Sequence, residues 1–349
     1  MPLTVLNVAY PLAPVSPSTA GGAEQIVSIL DEALVGAGHR SLVLACAGSR
    51  CRGTLLTIPA PEGQLEGRAH EIACQHYREM IRLALARFPI DVVHLHGIDA
   101  LQYLPEWGTP VVITLHLPPS WYAAEMFRLN RPNTQLVCVS KSQASRCPRG
   151  TRTRVIANGI RLEDFWPSRS KSDYVVAIGR ICPEKGFHLA LDAATEAGID
   201  MVLAGTVFPY SAHENYFHDE IQPRLTQRHR FVGAVDLDQK RDLLAGARCL
   251  LTPSLVEETS SLVAMEAMAC GTPVVAFDCG ALPELVEHGH TGFLVHSLSE
   301  MCDAIAIVTE LRVADCREYA ERRFSSNRMT AEYFSLYEKL VTSQVRAAS

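Results

Sequence analysis

The stretch DYVVAIGRICPEKGFHLALDAATEAGIDMVLAG, residues 173–205, holds one complete strand–helix–strand unit. DYVVAIG (173–179) and DMVLAG (200–205) are apolar runs of strand length, and HLALDAATEAG between them repeats apolar residues at helical spacing. Parallel strands need a crossover of about a dozen residues, which a helix supplies. The same alternation extends downstream through RFVG (230–233), RCLLTP (248–253), TPVVAF (272–277) and GFLV (292–295). Upstream it recurs in LTVLNVA (3–9), SLVLACA (41–47), DVVHLH (91–96), PVVITLH (110–116) and QLVCVS (135–140). Short Val/Ile/Leu runs separated by helical segments are the pattern of parallel sheets covered on both faces. Between the two series lies VIANGIRLEDFWPSRSKSD (155–173), where Asn158-Gly159 signals a turn and the surroundings of Pro167 have linker composition. The expected fold class is therefore α/β, with two Rossmann-like domains, 1–165 and 166–325. A last helical segment, 326–349, places Met329, Tyr333, Phe334, Tyr337 and Leu340 on one stripe.

The totals agree with that division. At 349 residues the chain exceeds the size at which one core stops growing, about 250–300 residues. No apolar run reaches the roughly 18 residues of a membrane span, and no secretory signal opens the chain. Eleven cysteines without a C-x-x-C pair fit buried thiols in a reducing cytoplasm. The net charge of −6 argues against nucleic acid as a partner. One basic cluster stands out, Lys141, Arg146, Arg149, Arg152 and Arg154. It reads as a solvated loop or as a face for an anionic acceptor or weak peripheral membrane contact.

In an open parallel sheet, ligands bind beyond the carboxyl ends of the strands, where helix N-termini present unpaired N–H groups. Arg180 and Lys185 occupy such a position after the strand 173–179, and a guanidinium with an ammonium beside a helix start would neutralise a diphosphate. Solvated charges on an ordinary turn are the competing reading. The second such position is SLVEETSSLVAMEAMACGTPVV (254–275). A helix from Ser261 to Ala269 would offer the amides of Leu262 and Val263 to phosphate oxygens. Glu258 on the loop and Glu266 in the helix would then take hydroxyls on either side, since a carboxylate accepts two hydroxyl hydrogen bonds at once. Glu266 lies within the apolar run SLVAMEAMACG, where a carboxylate without a partner would cost several kcal/mol, and this favours a ligand-facing role. The competing reading makes Glu257 and Glu258 favourable charges at a helix start and Glu266 an exposed helical residue.

The string PSLVEETSSLVAMEAMACGTPVVA (253–276) resembles the E-x(7)-E signature of glycosyltransferase family 4, retaining enzymes of GT-B architecture that use nucleotide-diphosphate sugars. The resemblance extends to GRICPEKG (179–186), AGGAE (20–24), NGI (158–160) and GALPELVEHGHTGFLV (280–295), and so covers nearly the whole chain. It implies two Rossmann-like domains facing each other across a cleft, an acceptor-binding domain first and a nucleotide-sugar domain second, with the tail helix packed back on the first. Arg180 and Lys185 would hold the diphosphate, Glu258 the donor sugar hydroxyls and Glu266 the ribose. Backbone around Val232 to Val235 would receive the base, and Gly21 and Gly22 would let backbone close on the phosphates. A bare Gly-Gly turn is the other reading of that pair. His116 would face the donor sugar. The chain departs from the pattern at Thr259-Ser260-Ser261, where many relatives have Gly-aromatic-Gly, and at Arg161, where an acid often stands.

His94, His96 and His116 also suit a metal site, with His94 and His96 on one strand face. No downstream acid or cysteine completes a ligand set, so no metal is expected there, and no cofactor besides the nucleotide-sugar substrate. The expected activity is transfer from a nucleotide-diphosphate sugar, UDP-sugar foremost, to a sugar, lipid-linked or small-molecule hydroxyl. A non-hydrolysing nucleotide-sugar epimerase, a non-catalytic nucleotide-sugar-binding subunit and a metal-dependent hydrolase are the alternatives.

Overall fold

The structure is a computed structural model that describes residues 2–17, 19, 21–59, 65, 67–168 and 170–348, with side chains to residue 344. Residues 1, 18, 60–64, 66 and 349, Ala20 of the Ala-Gly-Gly stretch and Arg169 lie outside the described residues. The chain forms two compact units, Met1–Asn158 with Asn327–Ser349, and Gly159–Ser326.

In the first unit the strands are β1 (Thr4–Val8), β2 (Arg40–Cys46), β3 (Thr54–Ile58), β4 (Val92–Leu95), β5 (Val111–Leu115), β6 (Thr134–Cys138) and β7 (Thr153–Val155). They form one seven-stranded sheet in the order β3-β2-β1-β4-β5-β6-β7, with every pairing parallel. The order reverses direction between β1 and β4, where the crevice of such a sheet opens. Five strands coincide with the apolar runs of the sequence. The other two, β3 and β7, are edge strands with one neighbour each and part-exposed faces, so they lack the continuous apolar run that marks an inner strand. The basic cluster belongs here. Arg154 lies on β7, while Lys141, Arg146, Arg149 and Arg152 are exposed.

The tail helix Ser326–Ala348 contributes to this unit from Asn327 onward. Its stripe buries Met329, Tyr333 and Tyr337 completely. Both hydroxyls find partners: Tyr337 Oη lies 2.7 Å from His94 Nδ1, and Tyr333 Oη 3.0 Å from Thr114 Oγ1. Buried tyrosines without such partners would carry a desolvation cost of about 1–3 kcal/mol each.

The strands of the second unit are β8 (Tyr174–Ile178), β9 (Asp200–Ala204), β10 (His229–Phe231), β11 (Cys249–Thr252), β12 (Val274–Phe277) and β13 (Gly292–Val295). They form a parallel sheet in the order β10-β9-β8-β11-β12-β13, and the direction reverses between β8 and β11. All six were legible as apolar runs. The unit begins at Gly159 rather than at 166, because residues before Pro167 are tied into it: the Ile160 N–H donates to the Phe324 carbonyl at 2.8 Å, and the Ser326 N–H to that of Ile160 at 2.8 Å. Gly159 is needed there, since a Cβ would lie 2.6 Å from the Ser325 carbonyl oxygen. Among the described residues no helix is long and apolar enough to cross a membrane, and all eleven cysteines are free.

Candidate active site

The loops after β8 and β11 flank the reversal point of the second sheet, and they carry Arg180, Lys185 and Glu258. Three features lock the loops together. The Leu255 N–H donates to the Glu184 carbonyl at 2.8 Å. Gly186, at φ +63°, packs so tightly that a Cβ would lie 2.2 Å from the Pro253 carbonyl oxygen. Gly280, at φ +60°, lies against the Glu258 backbone, where a Cβ would approach the nitrogen to 2.5 Å, and the Ala281 N–H caps the Glu258 carbonyl at 2.6 Å. Both glycines thus serve left-handed turns that no side chain could enter.

Within this frame Lys185 and Glu258 meet. Lys185 Nζ lies 2.5 Å from Glu258 Oε1, and Ser254 Oγ donates to the same oxygen at 2.5 Å. The Glu258 side chain is 8% exposed and that of Lys185 26%. The sequence suggested separate tasks for the two residues, whereas the structure pairs them because both loops converge on one crevice. An ammonium has three N–H donors, so two remain on Lys185 after this bond. Arg180, half-buried after β8, forms no ion pair among the described residues.

The helix Leu262–Ala269 starts one residue later than expected, with Ser261 as an extended cap whose side chain makes no capping bond. Its first intrahelical bond runs from the Met265 N–H to the Ser261 carbonyl at 3.2 Å, so the amides of Leu262 and Val263 belong to the unpaired first turn. Thr259 and Ser261 are buried, and Ser260 Oγ is buried with no partner among the described residues. The departure from Gly-aromatic-Gly therefore places an unsatisfied hydroxyl at the helix start.

Glu266 is buried, at 3% side-chain exposure, but it is not alone. Lys240 Nζ lies 2.6 Å from Glu266 Oε1 and is itself only 10% exposed. That ion pair corrects the argument that a lone buried carboxylate must face a ligand, and Glu266 is not the exposed helical residue of the competing reading either. Lys240 comes from the helix Leu237–Gly246, whose start is fixed by a capping box between Asp236 and Gln239. Lys240 and Ser254 were missed in the sequence. A signal for Lys240 was present, since it interrupts the stripe Leu237–Lys240–Leu244 at helical spacing and so points a charge at the core.

The expected base-binding backbone is partly committed elsewhere. The Val232 N–H donates to the Leu203 carbonyl at 3.0 Å, extending the β9–β10 pairing, and the Gly233 carbonyl accepts from Gly205 at 2.8 Å. The Val232 amide is thus occupied, while half-buried Val235 directly precedes the helix cap Asp236.

In the first unit, Gly21 caps the helix Gly22–Gly36. The Glu24 carboxylate folds over Gly21 so closely that a Cβ there would lie 1.8 Å from its Oε2. The space that the glycine leaves is thus taken by a carboxylate of its own helix rather than left open for phosphates. His116 follows β5, its N–H bound to Tyr122 Oη at 2.9 Å and its Nε2 3.0 Å from His96 Nδ1. Burial pushes the His116 imidazole down to about 4, and burial also holds those of His94 and His96 well below the ordinary histidine value. All three rings are neutral at pH 7. They do not converge as metal ligands: the nitrogens of His94 are both engaged by hydroxyls, of Tyr337 and of Thr114 at 2.7 Å.

Comparison with known proteins accounts for this architecture. Residues 172–310 match the family described as glycosyl transferases group 1, and residues 20–164 match glycosyltransferase family 4. The chain is a group 1, family 4 glycosyltransferase. Phosphatidyl-myo-inositol mannosyltransferase of Mycobacterium leprae is 26% identical over 97% of this chain and 99% of its own length. Among solved structures, AviGT4, a glycosyltransferase involved in avilamycin A biosynthesis, aligns with a TM-score of 0.73 at 25% identity over 98% of each chain. An Anabaena protein solved with UDP and glucose aligns at 0.73 with 19% identity, over 95% of this chain and 98% of that one. The glycosyltransferase thus has the GT-B fold class, with one Rossmann-type sheet in each unit.

Proposed function

We propose that this glycosyltransferase moves a sugar, with retention, from a nucleotide-diphosphate sugar to a hydroxyl-bearing acceptor, UDP-sugar being the expected donor. One observation carries the reading: a half-buried guanidinium, Arg180, without a counter-ion among the described residues, on the same post-β8 loop as Lys185, which pairs with Glu258 at the reversal point of the second sheet. A half-buried guanidinium without a counter-ion is open to an anionic partner, and a diphosphate offers the oxygens that its donor fork matches. Arg180, the two remaining Lys185 donors and the amides of Leu262 and Val263 would hold the phosphates. As the sugar departs, negative charge grows on the leaving phosphate, and this fixed cationic frame stabilises it without reorganisation. Glu258 would keep Lys185 in place through Oε1 and offer Oε2 to sugar hydroxyls. Glu266, held by Lys240, would offer its second oxygen to the ribose. Both acids then lie on the donor side, and neither serves as a glycosidase-type nucleophile.

Neutral His116 would act as a hydrogen-bonding group toward the donor sugar rather than as a cation. We place the reaction in the cytoplasm, on the strength of eleven unpaired thiols, and assign the acceptor site to loops of the first unit. The Anabaena relative solved with UDP and glucose supports a uridine donor. Thermal-shift titration with UDP-, GDP- and ADP-sugars tests the donor, since a ligand at a hundredfold its Kd stabilises by about 2.7 kcal/mol. No shift with any of them refutes the reading. Anomeric NMR of the product tests retention, and conversion of the donor sugar without acceptor would indicate the epimerase instead.

A further inference from the structure

A second cluster of reactive side chains lies in the first unit, at the carboxyl end of β4. His70 and Cys74 stand one turn apart in the helix Arg68–Arg87 and face Asp99 on the loop that follows β4. Asp99 Oδ2 is 2.6 Å from His70 Nε2 and 3.2 Å from Cys74 Sγ, and the sulfur is 3.7 Å from Nε2. We infer that His70 Nε2, Cys74 Sγ and Asp99 Oδ2 form a three-ligand site for a zinc-class divalent cation, with the fourth position open to a ligand.

Five considerations support this. Imidazole nitrogen, thiolate and carboxylate are the ligand types that zinc selects, at bond lengths of about 2.0–2.3 Å. Ligands at those lengths in a tetrahedron lie about 3.3–3.8 Å apart, so the sulfur–Nε2 contact already fits, and Asp99 Oδ2, slightly too close to the sulfur and closer still to Nε2, need move by less than about 1 Å. The carboxylate is held from behind: Tyr103 Oη, completely buried, donates to Asp99 Oδ1 at 2.8 Å, the outer-shell bond that fixes a ligating carboxylate. Gly97 makes room for that bond, since a Cβ there would lie 2.0 Å from Tyr103 Oη and 2.6 Å from Asp99 Oδ1. The open side is also defined, for the His70 side chain is 26% exposed and that of Asp99 4%. Finally, the cluster adjoins the β1/β4 reversal of its sheet, where such sheets take up ligands. Coordination transfers the thiol proton of Cys74 to solvent and leaves the metal's oxidation state unchanged. This site differs from the one the three strand-end histidines suggested, and it does not depend on the donor reading.

The test uses the full chain, stripped with chelator and titrated with Co²⁺ and then Zn²⁺. The expected result is one ion per chain, a saturable thiolate-to-Co²⁺ charge-transfer band, and its displacement by Zn²⁺. The band should disappear in Cys74→Ser, and Tyr103→Phe should weaken Zn²⁺ by about 10–100-fold, the usual effect of losing an outer-shell partner. If Cys74→Ser does not fold, His70→Ala, at the partly exposed ligand, must weaken Zn²⁺ at least tenfold. Absence of a saturable band in the unmodified chain overturns the assignment and leaves a hydrogen-bonded triad. So does a band that survives in Cys74→Ser but is lost in Cys182→Ser, because the second cluster of suitable side chains among the described residues, Cys182, Glu184 and His213, would then be the site.

Discussion

Replacing Lys240 by methionine separates the structural task of Glu266 from its proposed ligand task. In the structure the two side chains are 2.6 Å apart and 10% and 3% exposed, so solvent screens the pair little. Methionine keeps the length of the lysine stem and removes the charge, leaving the Glu266 carboxylate buried and uncompensated. Breaking a buried pair from one side costs about 3–5 kcal/mol, whereas replacing both partners by apolar groups of similar volume is close to neutral. In a unit of this size each kcal/mol corresponds to roughly 2–4 °C, so Lys240→Met should lower Tm by roughly 6–20 °C. The double variant Lys240→Met/Glu266→Met should return to within about 1 kcal/mol of the parent. Chemical denaturation of the parent, both single variants and the double variant completes the cycle. A loss below about 1 kcal/mol in Lys240→Met, or a double variant as unstable as the sum of the singles, refutes the reasoning. The double variant also isolates function: it should fold, yet bind UDP more weakly than the parent in calorimetry, because the carboxylate proposed for the ribose is gone.

Three further outcomes follow from the site. Lys185→Ala should lower kcat/KM by about 10²–10³ while the far-UV circular dichroism is retained, as for loss of one preorganised donor to a developing oxyanion; near-normal turnover removes Lys185 from the phosphate frame. Arg180→Ala should leave the unfolding free energy within about 1 kcal/mol of the parent, since no intramolecular pair is broken, but raise the Kd for UDP by about 10–100-fold, the worth of charge-assisted hydrogen bonds; equal affinity in calorimetry would show that the guanidinium does not meet the nucleotide. Because burial depresses His116 to about 4 and lowers His94 and His96 well below their unfolded value, the unfolded chain binds more protons as pH falls below about 6.5. Stability is therefore full above that pH and declines on acidification, by up to about 1.4 kcal/mol per pH unit for each ring, until the folded values are reached. A Tm that stays level between pH 6.5 and pH 5 would contradict the buried neutral rings.

The sequence by itself determined the class of fold and the place of the chemistry. Inner parallel strands are buried on both faces and must be continuous apolar runs, so the four inner strands of the second unit and the five of the first were visible locally, while the edge strands β10 and β13 kept short apolar runs of their own. Arg180 and Lys185 follow one such run directly, and Glu258 another, so their location at strand ends needed no tertiary information. The edge strands β3 and β7 were hidden because one open side relaxes the demand for apolar residues. What only the tertiary structure decided is which charges meet. Lys185 and Glu258 lie 73 positions apart in the chain, Lys240 and Glu266 26, and His94 and Tyr337 243. A carboxylate in an apolar run announces that it must be compensated, but its counter-ion comes from whichever element the fold packs against it, and no local spacing encodes that choice.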